Sequence, residues 1–227
     1  MSLVNGNAPF GTRRAGRAEP ALPDGPILYI EPHPRRIEAL VGDRVVLATE
    51  QALMVHRFGA MLSYAFPADV VGNLPMTPVP EAPGFVQVPW DAVDTWVEEG
   101  RRLVHYPPNP YHRVDCRPTT RRLRVTVAGT VLVDTEDTTI VFETSLEPVL
   151  YVRRSHVRTD LIRRTETTSW CNYKGAASYW SAVIGDTLAD DIAWSYDEPL
   201  PESTPIAKFL CFDPTRVDVT AALPEVP

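Results

Sequence analysis

Hydrophobic and polar residues alternate along two stretches of this chain. Residues 36–41 alternate weakly before a turn at Gly42, and an apolar stretch follows the turn. Residues 123–127 alternate more regularly, and they lead through Gly129 into a second apolar stretch. Alternation with a period of two, on either side of a short turn, is typical of a β-hairpin. The pattern therefore predicts a mainly β chain with antiparallel strands.

The two predicted hairpins are part of a longer repeat. At an offset of 86 residues Val41 matches Val127, Val45 matches Val131, Thr49-Glu50 matches Thr135-Glu136 and Val55 matches Val141. With a slip of one residue Tyr64 matches Tyr151 and Val70 matches Val157, and residues 113–115 match residues 216–218 farther on. A repeat of this length indicates a tandem duplication of one β-rich unit.

The repeat predicts three segments. Residues 1–26 lack periodicity and form a flexible arm, residues 27–118 form a first and degenerate β domain, and residues 119–227 form a second β domain. Within the first domain, Pro89 and Asp91 are suited to a helix start, and Val93, Trp96 and Val97 form an apolar stripe. These features predict a helix over 90–103 that braces the two domains.

The net charge of the chain limits the kinds of molecule that we expect it to bind. The chain has 22 basic residues (Lys and Arg) against 29 acidic ones and a formal net charge of −7. An acidic chain lacks the basic face that nucleic acid requires, so no nucleic-acid partner is expected. No apolar run approaches the roughly 20 residues of a membrane span, and residues 1–26 lack the apolar segment of a secretory signal. We expect a cytoplasmic protein with no membrane partner, and the sequence leaves a homodimer open.

Cysteine and lysine are both scarce. The chain has an odd number of cysteines, and they are widely separated: Cys116, Cys171 and Cys211. This pattern is typical of a protein without disulfides in a reducing compartment. No pair has the C-x-x-C spacing of a zinc site, so neither a metal nor a cofactor is expected. Lys174 and Lys208 are the only two lysines, beside 20 arginines, so the position of each lysine is informative.

Several motifs in the second half of the chain resemble a known family. They are residues 171–175 (Cys-Asn-Tyr-Lys-Gly) with Tyr179-Trp180, then residues 193–196 (Ala-Trp-Ser-Tyr), then residues 216–218 (Arg-Val-Asp). The second copy resembles the bacterial and fungal family called domain of unknown function 427, which is also labelled nucleotidyltransferase-like. The arrangement is similar to tandem forms found in actinobacteria, although Asn172 stands where members usually have Pro. The resemblance implies a compact, mainly β domain of the β-tent type with a ligand pocket.

The candidate site centres on the motif around Lys174. Lys174 is a compact cation that can bind a carboxylate or a phosphate, and Glu143 is its expected countercharge. Gly175 allows a sharp bend, and Cys171 would act as a nucleophile only with a base such as His156. The candidate ligand-binding residues are Lys174, Tyr173, Gly175, Tyr179, Trp180, Trp194, Tyr196, Cys171 and Glu143, whose aromatic members supply the walls.

The residues leave three functions open. The first is binding of a small anionic, aromatic or glycan-like molecule, with Lys174 as the anchor. The second is an enzyme that acts on a nucleotide or a sugar, with Glu143 as an acid–base partner. The third is a scaffold in which the aromatic residues form core or a dimer interface. His105 and His112 flank a proline-rich connector and are expected to be loop histidines.

Overall fold

The computed structural model describes residues 2–14 and 16–224. The chain divides into two compact units, Met1–Tyr111 and His112–Pro227. Strands supply nearly all of the regular structure, and the helices are short 3-10 segments of three to six residues. The prediction of a mainly β fold with antiparallel strands is confirmed. Within the described ranges, no helix has the length and apolarity needed to cross a membrane.

The described residues of the first unit form two antiparallel sheets. One has the order β1-β4-β5-β7-β6 and the other the order β3-β2-β8-β9. Short 3-10 helices occupy Ala68–Val70 and Trp90–Ala92. The strands are β1 (Leu28–His33), β2 (Ile37–Val41), β3 (Arg44–Thr49), β4 (Ala52–Arg57), β5 (Ser63–Pro67), β6 (Thr77–Pro78), β7 (Phe85–Gln87), β8 (Thr95–Glu98) and β9 (Arg101–Arg102).

Up to residue 224, where the description of the chain ends, the second unit has three sheets. Their orders are β10-β13-β14, β12-β11-β19 and β15-β16-β17-β18. Short 3-10 helices occupy Arg154–His156, Thr159–Leu161 and Pro201–Ile206. The strands are β10 (Val114–Thr119), β11 (Leu123–Val127), β12 (Thr130–Thr135), β13 (Thr138–Glu143), β14 (Val149–Val152), β15 (Ile162–Cys171), β16 (Gly175–Ile184), β17 (Thr187–Ser195), β18 (Cys211–Phe212) and β19 (Asp218–Ala221).

The two units share the pairing of their first five strands at an offset of 86 residues. The β1–β4 ladder begins at Leu28 and Arg57, and the β10–β13 ladder begins at Val114 and Glu143. The β2–β3 and β11–β12 hairpins also interrupt their registers at equivalent positions, after Ala39 and after Val125. In addition, β8 pairs with β2 as β19 pairs with β11. The second unit therefore repeats the strand pairing of the first, with the same register and the same interruption in the hairpin.

The slip of one residue expected at Tyr64 is wrong. Val55 pairs with Ser63 and Val141 pairs with Val149, so both ladders keep the offset of 86. The counterpart of Tyr64 is therefore Leu150, and the counterpart of Tyr151 is Ala65. Because successive side chains in a strand point to opposite faces, Tyr64 and Tyr151 lie on opposite faces of their sheets.

The expected domain boundary after residue 118 lies inside the sheet of the second unit. Val114–Thr119 is strand β10, which pairs with β13 along its whole length. The match of residues 113–115 with 216–218 is wrong, because β10 is the counterpart of β1 whereas Asp218 begins β19, the counterpart of β8. The division between the units instead follows Tyr111.

The predicted bracing helix over 90–103 is also wrong. A single 3-10 turn at Trp90–Ala92 leads into β8 and β9, which pair with each other. Trp96 is buried in the core of the first unit, and β8 pairs with β2. The apolar spacing of Val93, Trp96 and Val97 is too short to distinguish a helix from a strand, and the ladder to β2 determines the outcome.

Residues 1–26 were expected to form a flexible arm, but the described part of this segment begins with turns that pack against the first unit. Leu3, Val4 and Ala8 of this segment are buried. The Asn5 side chain donates to the Ala60 carbonyl and accepts from the Gly59 amide. At least the first turns of the arm therefore belong to the first unit.

The core of the second unit has two layers on the two faces of the β13–β14 ladder. Ile140, Leu150 and Val152 belong to one apolar cluster, which also includes residues of β11 and β12. Val141 and Tyr151 belong to the other cluster, which also includes Ala177 and Tyr196. Strand alternation therefore sends neighbouring residues to different layers. The second layer carries the candidate site.

Candidate functional site

A cavity of about 260 Å³ lies on the second layer of the second unit. Its lining comes from β13, β14 and the turn between them, from the turn before β16, and from β16, β17 and the residue after β17. The structure brings five of the nine candidate residues to this cavity. The lining residues are Val141, Glu143, Leu146, Glu147, Val149, Tyr151, Lys174, Tyr179, Trp194 and Tyr196.

Strand pairing places the aromatic walls. Tyr179 of β16 lies directly opposite Trp194 of β17, so their side chains share one face of the sheet. Tyr196 lies two residues after Trp194 on the same face. The indole Nε1 of Trp194 donates to the hydroxyl of Tyr151 at 2.9 Å, which joins this sheet to β14. The walls are thus fixed by two sheets.

The turn between β15 and β16 fixes the position of Lys174. Cys171 and Gly175 pair across the turn. Gly175 has a φ of +96°, a backbone conformation that residues with a side chain rarely adopt. A Cβ at this position would lie 3.5 Å from the Glu198 carbonyl oxygen. The Lys174 carbonyl accepts from the Leu200 amide at 3.1 Å. Gly175 therefore serves the bend that the sequence predicts, although it does not line the cavity.

Lys174 and Glu143 form a buried ion pair. The Nζ of Lys174 donates to Oε2 of Glu143, and both side chains are only 10% exposed. The Nε2 of His112 donates to the other oxygen, Oε1, at 2.9 Å. Burial by itself would raise the pKa of the Glu143 carboxyl, but the hydrogen bond from His112 and the charge of Lys174 outweigh it, so this pKa lies below its usual value. Glu143 is the countercharge that the sequence predicts.

His112 and Tyr173 lie against this ion pair rather than in the cavity lining. Their rings stack with centroids 3.5 Å apart and an angle of 13°. The His112 side chain is 2% exposed. His112 was expected to be a loop histidine, but its ring orients Glu143 from inside the second unit.

The hydrogen bonds of Lys174 are incomplete. An ammonium carries three N–H donors, and among the described residues Nζ donates only to Glu143. Its positive charge also lies 5.9 Å from the ring centroid of Tyr196. The hydroxyl of Tyr196 has no hydrogen-bond partner in the described ranges, and burial raises the pKa of this phenol, so it stays a protonated donor. Lys174 and Tyr196 therefore bring unused donors to the cavity.

Two remaining candidate residues lie elsewhere. Trp180 is on the opposite face of β16, where its Nε1 donates to the Ser195 hydroxyl at 3.1 Å. Cys171 packs at the edge of the apolar cluster around Tyr196. His156, its supposed base, hydrogen-bonds Asp137 at 2.9 Å, and no hydrogen bond joins it to Cys171 in the described part of the chain.

The candidate list missed several lining residues. Val141 and Tyr151 are both part of the predicted repeat, but the incorrect slip matched Tyr151 with Tyr64, which is a core residue of the first unit. Glu147 and Leu146 lie in the turn after β13, and both are exposed. Their contribution to the cavity depends on the pairing of β13 with β14, which composition does not reveal.

Among residues 2–14 and 16–224, no group of three or more His, Cys, Asp or Glu side chains is arranged to hold a metal ion. The lining of the cavity contains two carboxylates, Glu143 and Glu147, and one cation, Lys174. The cavity therefore offers a ligand an aromatic surface, one ion pair and a second carboxylate, Glu147, in the exposed turn after β13.

Comparison with known families places a match on the second unit. Residues 115–222 match a family described as a domain of unknown function (DUF427). The matched segment runs from within β10 to the residue after β19, so it includes the whole cavity lining. The match covers one copy of that domain. No curated protein matches this chain.

Proposed function

We propose that the second unit binds a small, uncharged, ring-shaped molecule that carries hydrogen-bond acceptors, such as a sugar or a planar heterocycle. The observation that carries this proposal is Lys174, a buried ammonium that lines an aromatic cavity and has, among the described residues, one hydrogen-bond partner for its three donors. Buried polar groups are almost always hydrogen-bonded, so a ligand or ordered water is needed to complete the set.

The charges of the lining favour a neutral ligand over an anion. Glu143 already neutralises Lys174 at hydrogen-bonding distance, and Glu147 adds a carboxylate that makes no ion pair in the described ranges. An anion would meet a lining with a net negative charge. A carbonyl or hydroxyl oxygen accepts from the unused Lys174 donors without that repulsion. The expected role of Lys174 as an anchor for anions is therefore replaced here by that of a hydrogen-bond donor.

The shape of the cavity favours a ring. Tyr179, Trp194 and Tyr196 supply flat apolar faces with polar tips, which suit a sugar or heterocycle. The volume of about 260 Å³ lies just below the range of typical drug-sized sites. A single ring with a few substituents fits this space better than a dinucleotide.

We further propose that the first unit is a degenerate copy of the same domain. The shared registers support this, and they place Arg57 where the second unit has Glu143, and Ala65 where it has Tyr151. On this face of the first unit, Val79 packs with Val55 and Ala65, and the exposed Arg57 pairs with Glu81. An alanine and an exposed arginine therefore stand where the second unit has the tyrosine and the buried carboxylate of the cavity. Only the second copy is then expected to bind the ligand.

Thermal-shift measurements test the proposal directly. The probes are neutral monosaccharides, nucleosides and, for comparison, mononucleotides and small carboxylates. A ligand at 100 times its dissociation constant adds about 2.7 kcal/mol, which raises the Tm by roughly 5–10 °C for a chain of this size. We expect a neutral probe to give such a shift, and Lys174→Met to abolish it.

Two variants keep this test decisive. Lys208→Met removes the other lysine, which is exposed, and should leave the shift unchanged. Tyr196→Phe removes only a hydroxyl that has no partner in the described ranges, so it should fold normally and bind more weakly. The proposal fails if no neutral probe shifts the wild type, or if a shift survives in both Lys174→Met and Tyr196→Phe. Turnover of a bound probe would instead identify an enzyme.

A further inference from the structure

Trp180 lies on the face of the β15–β18 sheet that the cavity does not use. Tyr179 points to the cavity, and the next residue in a strand points the opposite way. On this second face, Trp180 pairs with Arg164 of β15, and Ser178 pairs with Ser195 of β17. These four residues define what we call the arginine face, together with Arg154 and Asp197.

Two guanidinium groups share one carboxylate on the arginine face. Arg154 donates to Oδ1 of Asp197 at 2.7 Å, and Arg164 donates to Oδ2 of the same residue at 3.2 Å. The local charge is therefore +1 in a protein whose net charge is −7. A positive group of this kind attracts anions to one place on an acidic molecule.

The arginine face holds its donors in fixed positions. The guanidinium carbon of Arg154 lies 4.5 Å from the ring centroid of Trp180, a cation–π contact that restrains the side chain. Arg164 donates to the Ser178 hydroxyl at 2.6 Å, and Trp180 donates to the Ser195 hydroxyl at 3.1 Å. Donors that are already ordered lose less entropy when a ligand binds.

Some donors on the arginine face remain unused. Each guanidinium has five N–H donors, but the hydrogen bonds of Arg154 and Arg164 in the described ranges all go to Asp197 and the two serines. The Nε of Arg154 is buried and has no hydrogen-bond partner there. The side chain of Arg164 is 55% exposed, so an anion in solution can reach it.

We propose that the arginine face is a second binding site, for a phosphate group. Paired guanidiniums match the geometry of phosphate oxygens better than ammonium groups do, because each presents parallel N–H donors. Asp197 aligns the two guanidiniums, and the phosphate binds to the edges that Asp197 leaves free. This site is independent of the cavity, since it lies on the other face of the sheet.

Isothermal titration calorimetry of the full chain tests this site. The protein is titrated with inorganic phosphate and with glycerol 3-phosphate at constant ionic strength. We expect saturable binding that weakens by at least about tenfold in Arg164→Gln, the loss expected for one charge-assisted hydrogen bond. Tighter binding of the ester than of inorganic phosphate would identify an organic phosphate as the ligand.

Two further variants separate a binding site from a structural ion-pair cluster. Arg163→Gln removes the same charge from the neighbouring position of β15, which is exposed, and should retain binding. Asp197→Asn removes a negative charge that repels the phosphate while its amide oxygen still accepts from one guanidinium, so it should tighten phosphate binding. The proposal is overturned if the wild type binds neither phosphate, or if Arg163→Gln weakens binding as much as Arg164→Gln does.

Discussion

At the scale of single residues, the ion pair of Lys174 with Glu143 differs from the exposed ion pairs of this protein. Both of its side chains are 10% exposed, whereas those of Arg158 and Asp160 are 56% and 61% exposed. Exposed pairs contribute little to stability because water screens them. Loss of one partner from a buried pair leaves a charge without compensation. Glu143 is therefore important for the fold of the site as well as for its chemistry.

Glu143→Gln should destabilise the second unit. The substitution leaves the Lys174 ammonium buried beside a neutral amide, and the expected loss is about 3 kcal/mol in the free energy of unfolding. Urea denaturation measures it, with Asp160→Asn as the matched exposed control, for which we expect a change within about 0.5 kcal/mol. Adding Lys174→Met to Glu143→Gln should recover much of the loss. Equal effects of Glu143→Gln and Asp160→Asn would show that the pair is not buried as described.

Gly175→Ala should also destabilise the second unit, for a reason that lies in the backbone. Its φ of +96° is unfavourable for alanine, and the expected cost is roughly 1 kcal/mol or more. Gly16→Ala is the control, because no atom would contact its Cβ within 4 Å. Thermal denaturation compares the two variants. A Tm for Gly175→Ala equal to that of Gly16→Ala would exclude strain in the turn that holds Lys174.

At the scale of elements, a buried carboxylate connects the two sheets of the first unit. Glu98 of β8 accepts hydrogen bonds from the Tyr64 hydroxyl and from His33 at 3.0 Å, which belong to the other sheet. Arg35 adds a third bond at 2.5 Å. Burial alone would raise the pKa of Glu98, but these donors outweigh it and lower the pKa to about 2. The contact between the sheets therefore depends on an ionised Glu98.

The pH dependence of stability should report this connection. Because the pKa of Glu98 is about 2 in the folded protein and about 4.5 when unfolded, its contribution is complete above pH 4.5 and is lost as the pH falls toward 2. The loss is about 3 kcal/mol. Glu98→Gln should therefore show a smaller fall in the free energy of unfolding between pH 5 and pH 2 than the wild type does. Parallel curves for the two proteins would contradict this account.

The two hairpins were predictable because the sequence signal of a hairpin is local. Alternation around Gly42 and Gly129 predicts the β2–β3 and β11–β12 hairpins, and the structure has both. The helix over 90–103 was predicted wrongly, because a short apolar stripe fits a strand equally well until its pairing partner is known. The slip at Tyr64 came from matching two tyrosines by identity, whereas the ladder fixes the register.

The candidate site was predictable only in part. Lys174 is notable as one of two lysines, and the aromatic residues that follow it form a recognisable motif. Tyr179, Trp194 and Tyr196 could therefore be identified from the sequence. Strand alternation separates Tyr179 from Trp180, and it could have excluded Trp180 once β16 was assigned. His112 precedes β10 and Tyr151 lies in β14, and both strands pair with β13, which ends at Glu143. A single sequence does not show these pairings.

At the scale of the whole molecule, the second unit contains its own cores. Both of its apolar clusters are built from residues after Tyr111. Strand β10 contributes Val114 to one of these clusters and pairs with β13 over six residues. A fragment that begins before β10 therefore retains the pairing and packing of the unit.

Two fragments test the boundary between the units. Residues 112–227 should fold alone, with dispersed amide signals in NMR spectra and a cooperative thermal transition. Residues 119–227 lack most of β10 and should be unfolded or far less stable, because β13 loses a paired edge and the core loses Val114. Equal folding of both fragments would contradict the assignment of β10 to the second unit.

The most direct test of the ligand site uses the two lysines as reporters. Protein labelled with ¹³C and ¹⁵N only in lysine gives side-chain signals from Lys174 and Lys208, and Lys208→Arg assigns them. Titration with neutral monosaccharides and nucleosides should shift the Lys174 side-chain signals in a saturable way while those of Lys208 stay in place. If no probe shifts Lys174, or if both lysines shift together, the cavity is not the binding site proposed here.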